Sequence, residues 1–305
     1  MLQNLAIKGG GVKGIAYVGA IDELDKAGLF EPIRRVSGTS AGALMACMIS
    51  AGYTVEQIHD LMKSIRFNQF KTGWNPLRVF THYGLYSGNY IVNFVHKMLK
   101  GAPKRLSARA TFMDMKKAGC RDLYVFACNT TTHTITEFSA DKTPQCVVAE
   151  AIRASMSIPF FFKAYRLSTG TESSHLYVDG GLVYNYPLSF FDDPRFNSSG
   201  MVNPESMGLY LYSPHPEPEV NINYSRLLFF SRHIFESMLD AQDYLVLQDP
   251  EQVQRSILID DLNLLATDFN ITLTDMDNLI DSGRKATQKF ISKNYPAMKQ
   301  SMQLQ

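Results

Sequence analysis

The chain has 305 residues, of which 45% are hydrophobic and 19% are charged, and its formal net charge is +1 at pH 7. This composition is typical of a globular protein with one large α/β domain or two smaller ones. No apolar run approaches the ~18 residues of a membrane span, and the N-terminus lacks the basic segment of a signal peptide. We therefore expect a cytoplasmic or peripheral membrane protein, with secretion by a signal-independent route as an alternative. The four cysteines lack C-x-x-C spacing, which favours reduced structural thiols.

The first part of the chain alternates between strand and helix patterns. Residues 2–8 form a short apolar run that leads directly into a glycine turn at residues 9–14. Helical spacing follows and ends at Gly28, and residues 33–37 form a second strand. Residues 41–51 predict a helix that is buried on all sides, and Thr54 opens a capping box for the next helix. This order predicts parallel strands with right-handed crossovers and a site at the carboxyl ends of the strands.

Later segments continue the mixed pattern and predict an α/β fold with a central, mostly parallel sheet. A boundary near residue 215, in a proline-rich segment, divides a catalytic part (1–215) from a helical C-terminal region (216–305) packed on it. Thr274 opens the last predicted helix. The other predicted elements are a strand pair at 121–129 and 134–139, a helix at 147–155, strands at 175–179 and 207–212, a long amphipathic helix at 223–247, and a further element at 255–260.

Ser40 stands at the centre of Gly38-Thr39-Ser40-Ala41-Gly42, between a predicted strand and a predicted helix. A Gly-x-Ser-x-Gly sequence by itself is weak evidence, but in this setting it is typical of a nucleophile elbow. Gly38 and Gly42 permit a strained turn and a close approach of neighbouring elements. The helix N-terminus behind Ser40 also favours developing negative charge. Ser40 is therefore the candidate nucleophile.

The glycine turn Gly9-Gly10-Gly11-Val12-Lys13-Gly14 has two rival interpretations. Its spacing fits a dinucleotide-binding fingerprint, but no Asp or Glu ends the second strand, where that fingerprint requires one. A Walker-type phosphate loop is excluded because Gly14, rather than Ser or Thr, follows Lys13. What remains is an oxyanion hole built from this turn. The amides of Gly10 and Gly11 are its donors, and Lys13 holds the loop or adds positive charge.

Asp179-Gly180-Gly181 closes a predicted strand, so the Asp179 carboxylate should project from the same sheet edge as Ser40. A simple turn is the alternative reading of this tripeptide. None of the seven histidines has a comparable strand-end position, and His175 lies at the opposite end of the same strand. A Ser–Asp dyad is therefore favoured over a Ser–His–Asp triad. Because an Asp with a pKa near 3.9 is a poor base for an alcohol, burial and a short contact with Ser40 must raise its basicity.

Taken in order along the chain, the glycine turn, the serine elbow and the Asp-Gly-Gly block resemble the patatin-like phospholipase family. Two more blocks agree, Ala154-Ser155-Met156-Ser157-Ile158-Pro159 and Asn185-x-Pro187. Lys13 stands where the family more commonly has Arg. The resemblance covers roughly residues 5–190. It implies a three-layer α/β/α fold with Ser40 as nucleophile, Asp179 as the single general base and the Gly10/Gly11 region as oxyanion hole.

The resemblance also implies an activity: a lipid acyl hydrolase of the phospholipase A or lysophospholipase type, working through an acyl-Ser40 intermediate. No metal or other cofactor is expected. Two alternatives stay open, an acyltransferase or thioesterase on the same dyad and a non-catalytic lipid-binding module. Some members of the family need an activator from a host cell, so the resemblance leaves an activating protein open as a further partner.

Aromatic and charged residues predict where the protein binds the acyl chain and where it contacts the membrane. Phe160, Phe161 and Phe162 are candidates to line an acyl channel, with core packing as the alternative. Residues 61–113 contain nine Lys or Arg, no Asp or Glu, and interleaved aromatic residues, which favours contact with an anionic membrane. The alternative is that this stretch docks on the acidic residues 236–281 of the same chain. No nucleic acid is expected, because no recognisable nucleic-acid module accompanies the stretch.

Overall fold

Ten strands and ten α-helices lie within the residues that the computed structural model describes, which are 2–169, 174–197, 200–214 and 227–296, without the side chains of 227–229 and 232. No helix in these ranges is both long enough and apolar enough to cross a membrane. The strands are β1 (Asn4–Ile7), β2 (Arg35–Thr39), β3 (Gly84–Tyr86), β4 (Asp122–Asn129), β5 (Thr134–Phe138), β6 (Phe160–Phe162), β7 (Tyr165–Leu167), β8 (His175–Asp179), β9 (Ser206–Tyr212) and β10 (Ser256–Asp260). The α-helices are α1 (Ala16–Lys26), α2 (Ala41–Ser50), α3 (Val55–Ser64), α4 (Arg78–His82), α5 (Asn89–Lys100), α6 (Phe112–Lys117), α7 (Val148–Ser155), α8 (Leu227–Gln248), α9 (Pro250–Gln254) and α10 (Leu273–Asn294). Short 3-10 helices are Gly11–Ile15, Phe67–Lys71, Gly180–Leu182 and Ser189–Asp192.

Five parallel strands form the centre of the main sheet, in the order β10-β9-β1-β2-β4. Strands β5 and β8 pair antiparallel with β4, and β7 pairs antiparallel with β8. Strands β3 and β6 form a separate parallel pair. The expected α/β fold with a central, mostly parallel sheet is confirmed.

Alternate side chains of the central strands enter two different cores. On one face, Leu5 of β1 and Val125 of β4 join a large core that is covered by α1, α2, α7 and α10. On the other face, Ala6 and Phe126 join a smaller aromatic core that is covered by residues 184–196 and by α8. Strands that are buried on both faces need apolar residues at nearly every position. This is why they read as short apolar runs in the sequence.

Strands β2 and β8 meet end to end beside β4. Thr39, the last residue of β2, lies opposite Phe126, and Asp179, the last residue of β8, lies opposite the next residue, Ala127. Both strands use the same edge of β4, because β5 occupies the other edge along residues 125–129. Asp179 therefore lies beside the end of β2, as expected, although β8 does not run parallel to that strand. Strand β8 is antiparallel and reaches the end of β2 from the opposite direction.

The chain after residue 226 is joined to the first part through the sheet and through α1. Strand β10 extends the sheet beyond β9, so this region contains a strand as well as helices. Helix α10 lies very close to α1. A methyl group on Gly19 would come 1.8 Å from Ile280 O, and one on Gly283 would come 2.0 Å from Ala16 O. Only glycine permits this approach of the two backbones.

The strands and helices predicted before residue 213 occur within two residues of their predicted bounds. Thr54 forms a capping box with Gln57, as its sequence pattern predicts. The last helix begins earlier than predicted, because Thr272, rather than Thr274, caps it. Residues 223–226 of the predicted amphipathic helix lie outside the described residues.

Candidate active site

Ser40 occupies the sharp turn between β2 and α2. Its backbone has φ 53° and ψ −123°, a combination that residues with a side chain seldom adopt, and the residue is 6% exposed. A methyl group on Gly42 would come 2.2 Å from Ile7 O, and one on Gly38 would come 2.3 Å from Gly42 O. The two glycines therefore let the turn close tightly against β1. This is the strained geometry of a nucleophile elbow.

The Ser40 hydroxyl donates a hydrogen bond of 2.7 Å to Asp179 Oδ2. The other carboxylate oxygen, Oδ1, accepts the Gly181 N–H at 2.8 Å, and the Asp179 N–H donates to Ser157 O at 2.9 Å. These partners orient the carboxylate toward Ser40. Asp179 is 1% exposed, so the carboxylate is also shielded from water. The two side chains that the sequence suggests as nucleophile and base are in direct contact.

Burial raises the pKa of Asp179 to about 7 from an ordinary value of 3.8. Hydrogen bonds from Ser40 and Gly181 and the positive charge of Arg153 favour the ionised form and oppose this rise. A carboxylate with a pKa near neutrality is a stronger base than an ordinary one and is still partly ionised at pH 7. Desolvation therefore increases the basicity of Asp179.

Arg153 of α7 is a fully buried cation behind Asp179. Its guanidinium donates to Ser157 Oγ, to Ser87 O at 3.1 Å and to Lys163 O at 2.8 Å. Burial lowers its pKa to about 10. It forms no ion pair with a carboxylate in the part of the chain that the structure describes, so its charge acts on Asp179 from a distance. Sequence reasoning did not identify Arg153, whose only signal was a lone cation in an apolar helix.

Ser155, at the end of α7, fixes the elbow from the side of β4. Its Oγ accepts the Ser40 N–H at 2.9 Å and donates to Phe126 O. Because the Ser40 amide has this partner, it is not available to a substrate oxygen in this arrangement. The donors for an oxyanion must come from elsewhere.

The glycine turn passes directly beside Ser40. A methyl group on Gly9 would come 3.3 Å from Ser40 Cβ. Gly11 has φ 57°, and a methyl group there would come 1.9 Å from Ala266 O, so only glycine fits. Among the described residues, neither Gly10 nor Gly11 donates its N–H to a protein acceptor. These two amides are the donors that the turn offers to a ligand oxygen.

Two lysines tie the glycine turn to the C-terminal part of the chain. Lys13 Nζ lies 2.6 Å from Asp261 Oδ2, and Lys8 Nζ lies 2.5 Å from Asp243 Oδ2. Burial lowers the pKa of Lys8, and the Asp243 carboxylate opposes that effect. Gly14 ends the turn close to α2, because a methyl group on Gly14 would come 3.0 Å from the Cβ of Ala41, the first residue of that helix. The ion pair of Lys13 supports the role of holding the loop.

Helix α8 is bonded to the loop that follows Asp179. Gln242 Oε1 accepts the Asn185 N–H at 2.9 Å, and Gln242 Nε2 donates to Gly181 O at 2.8 Å. A helix beyond the predicted domain boundary therefore helps to position the candidate base. The amphipathic pattern predicted a buried face for this helix without indicating what covers it.

The three candidate acyl-channel residues have different surroundings. Phe162 is buried in the core, where its ring contacts Phe70 and Phe269. Phe160 and Phe161 instead line a cavity of about 500 Å³. A second cavity, of about 320 Å³, is lined by the glycine turn and α8. Phe162 therefore belongs to core packing, and the other two phenylalanines border open space.

His175 lies apart from this site, as the sequence suggests. That residue is at the far end of β8 from Asp179, and its Nδ1 lies 2.9 Å from Asn129 Nδ2. In the ranges given above, no group of three or more His, Cys, Asp or Glu side chains is arranged to hold a metal ion.

Known proteins share this sequence pattern and fold. A family model described as patatin-like phospholipase matches residues 5–192. The uncharacterized protein YqhO of Bacillus subtilis is 31% identical over 299 residues, which are 93% of this chain and 96% of that protein. The probable lipid hydrolase 463L of Invertebrate iridescent virus 6 is 25% identical over 195 residues, covering 61% of this chain and 62% of that protein. The crystal structure of VipD from Legionella pneumophila has a similar fold, with a TM-score of 0.62 and 18% identity over 96% of this chain and 67% of VipD.

Proposed function

Because the chain belongs to the patatin-like phospholipase family, we propose that it is a phospholipase A or lysophospholipase with Ser40 as nucleophile and Asp179 as general base. The observation that carries this proposal is the 2.7 Å hydrogen bond from Ser40 Oγ to Asp179 Oδ2 at a strained elbow. The raised pKa of Asp179, near 7, supports its role as the base. No histidine is needed in this arrangement.

Acylation begins when Ser40 Oγ attacks the carbonyl carbon of a fatty acyl ester and its proton moves to Asp179 Oδ2. The carbonyl electron pair moves to the oxygen, which accepts hydrogen bonds from the Gly10 and Gly11 amides. When the tetrahedral intermediate collapses, the carbonyl re-forms and the bond to the alkoxy group breaks. Asp179 returns the proton to the departing oxygen, and an acyl-Ser40 ester remains.

Deacylation repeats these steps with water as the nucleophile. Asp179 takes a proton from the water as its oxygen attacks the acyl carbon, and the same amides hold the oxyanion. Collapse breaks the bond to Ser40 Oγ, and Asp179 returns the proton to that oxygen. The products are a fatty acid and the regenerated enzyme.

The acyl chain is proposed to occupy the cavity of about 500 Å³ lined by Phe160 and Phe161. Ile158 also lines this cavity and follows Ser157, whose carbonyl accepts the Asp179 N–H. This short connection supports a channel that begins near the dyad. A mainly apolar lining suits a hydrocarbon chain.

We also propose contact with an anionic membrane through the exposed aromatic rim beside this cavity. Trp74, Leu77 and Phe80 are 62%, 71% and 77% exposed. Tyr83, at the end of the rim, accepts the Phe160 N–H through its carbonyl oxygen at 3.2 Å, so the rim borders the cavity mouth. Exposed aromatic and aliphatic side chains among cations favour an anionic lipid surface.

Intramolecular docking of the basic stretch is less well supported. Lys63 forms an ion pair of 2.8 Å with Asp277. Among the described residues, no other cation of residues 61–113 pairs with an acid of residues 236–281. Lys71 meets the amide of Asn270 rather than a carboxylate. Most of the basic charge is therefore available to a partner.

The decisive experiment adds the pure protein to mixed phospholipid vesicles, with and without anionic lipid, and identifies the fatty acids released. Ser40→Ala and Asp179→Asn should each abolish release and covalent labelling by a fluorophosphonate, while Ser64→Ala, an exposed control, should retain both. Full activity of either dyad variant in a folded state would contradict the proposal.

Two further readouts use the same assay. A competing alcohol distinguishes hydrolysis from acyl transfer, because transfer yields a new ester in place of the free acid. Activity of the pure protein would also show that no activating protein is required.

A further inference from the structure

The side chain of Asn185 is buried beside the dyad, and its amide nitrogen is unpaired in the part of the chain that the structure describes. The residue is 3% exposed, and its Nδ2 has no hydrogen-bond partner among the described residues. Its backbone, by contrast, is held on both sides: the carbonyl accepts the Gly9 N–H at 3.0 Å, and the N–H donates to Gln242 Oε1 at 2.9 Å. A buried amide without a partner is uncommon in native proteins and calls for an explanation.

The carboxamide lies between the glycine turn and the dyad loop. A methyl group on Gly9 would come 2.3 Å from Asn185 Oδ1 and 3.3 Å from Ser40 Cβ. A methyl group on Gly181 would come 3.1 Å from the same Oδ1 and 3.0 Å from Asp179 Oδ1. The Asn185 carboxamide therefore lies between Gly9 and Gly181.

Asn185 and the glycine turn also border one common space. Asn185, Gly9 and Gly10 line the same cavity of about 320 Å³. Rotation of the carboxamide about its Cβ–Cγ bond exchanges Nδ2 and Oδ1, which brings the N–H groups to the position beside Gly9 and Ser40. In that orientation an N–H lies beside Gly9, on the side of the carboxamide that approaches Ser40.

We propose that the Asn185 carboxamide donates a third hydrogen bond to the ester oxygen that becomes negative in the tetrahedral intermediate, beside those from Gly10 and Gly11. This inference rests on the proposed hydrolase function. The Asn185 N–H transfers no proton. It stabilises the electron pair that leaves the carbonyl bond when Ser40 Oγ attacks, and it is released when that bond re-forms. In the rotated orientation, the acceptor of this N–H arrives with the substrate.

The test compares Asn185→Ala and Asn185→Leu with Asn203→Ala. Asn203 is a matched control because it is equally buried but fully bonded: its Nδ2 donates to Phe191 O at 2.9 Å, and its Oδ1 accepts the Glu205 N–H at 3.0 Å. Both Asn185 variants should lower kcat about 100-fold, the range for loss of one oxyanion donor. KM should change less than about threefold and the melting temperature should not fall. Asn203→Ala should lower the melting temperature and leave kcat of the folded enzyme unchanged.

Labelling of Ser40 by a fluorophosphonate supplies a second readout, since its phosphoryl oxygen uses the same donors. The labelling rate of the Asn185 variants should fall in parallel with kcat. An unchanged kcat, or a loss of kcat that accompanies a fall in melting temperature like that of Asn203→Ala, would overturn the inference. Ser40→Ala in the same assay separates the two claims, because an active Ser40→Ala enzyme overturns the proposed function itself.

Discussion

Ser40 and Asp179 lie 139 positions apart in the chain, and their side chains meet because β2 and β8 end against each other on one edge of β4. The arrangement needs no long loop to bring the carboxylate to the hydroxyl. Strand pairing holds the backbone of β2 up to Thr39, the residue before Ser40, and it holds the backbone of β8 up to Asp179 itself. Such support keeps the two side chains aligned without a rearrangement when substrate binds.

Asp179→Asn should stabilise the protein above neutral pH. The folded-state pKa of Asp179, about 7, exceeds its ordinary value of 3.8, so the folded protein binds this proton more tightly than the unfolded chain. The stability that the bound proton provides is present below pH 4 and is lost as the pH rises through 7. The variant avoids this loss, which is at most about 4 kcal/mol for a shift of this size. Urea unfolding at pH 4 and pH 8 measures the difference, which should appear only at pH 8.

The pKa shift of Asp249 has the opposite sign, so this residue serves as the control for that experiment. It caps α9, and a hydrogen bond from the Gln252 side chain lowers its pKa most. Hydrogen bonds from the backbone amides of Gln252 and Glu251 lower the pKa further. Asp249→Asn should therefore destabilise the protein at pH 8 and have little effect once the carboxyl is protonated at low pH. If Asp179→Asn did not stabilise the protein at pH 8 while Asp249→Asn destabilised it as expected, the assignment of Asp179 as a desolvated carboxylate would be contradicted.

Arg153→Gln should move the pH dependence of hydrolysis upward. The base must be ionised, so kcat/KM should rise about tenfold per pH unit below 7 and level off above it. Removal of the buried cation takes away a charge that favours the ionised Asp179 and should raise the midpoint by a few tenths to about one pH unit. Arg153→Lys, which retains the charge, should shift the midpoint less. An unchanged midpoint in folded Arg153→Gln would rule out this electrostatic role.

The sequence predicted the local features of the site well and their mutual arrangement less well. The elbow at Ser40 depends on residues next to one another, so its pattern was sufficient. The direction of β8 could not be predicted from its pattern, because five mostly apolar residues form a similar strand in either direction. The start of α10 was misassigned because Thr272 and Thr274 each have an Asp three residues later, and only the first pair forms the capping box.

Contacts between distant segments were beyond sequence patterns altogether. An amphipathic helix indicates that one face is buried, but Gln242 bonds a loop 57 to 61 positions away in the chain. Asp243 beside it accepts the Tyr210 hydroxyl at 2.7 Å and pairs with Lys8. Hydrophobic periodicity does not indicate which residue a polar side chain on such a face will contact.

Gly11→Ala should damage activity far more than Gly28→Ala. Both glycines have positive φ, 57° and 68°, so alanine is strained at both. At Gly28 nothing lies within 4 Å of the added methyl group, and the cost should be about 1 kcal/mol of stability with kcat unchanged. At Gly11 the methyl group meets the Ala266 carbonyl, so the turn must move and its amides with it. We expect kcat to fall about 100-fold or more. Equal kcat values for the two variants would show that the position of the turn does not matter.

Trp74→Ser combined with Phe80→Ser should weaken binding to anionic vesicles about tenfold or more, because both rings lose apolar burial in the lipid surface. Hydrolysis of vesicle lipid should fall in parallel, whereas hydrolysis of a short-chain ester in water should not change. Leu273→Ser is the matched control, since Leu273 is 68% exposed at the start of α10 and is not one of the rim residues. Flotation of the protein with vesicles at low and high salt measures binding, and salt should weaken the attraction of the basic residues. An equal loss for Leu273→Ser, or no loss for the double variant, would exclude the aromatic rim as the membrane contact.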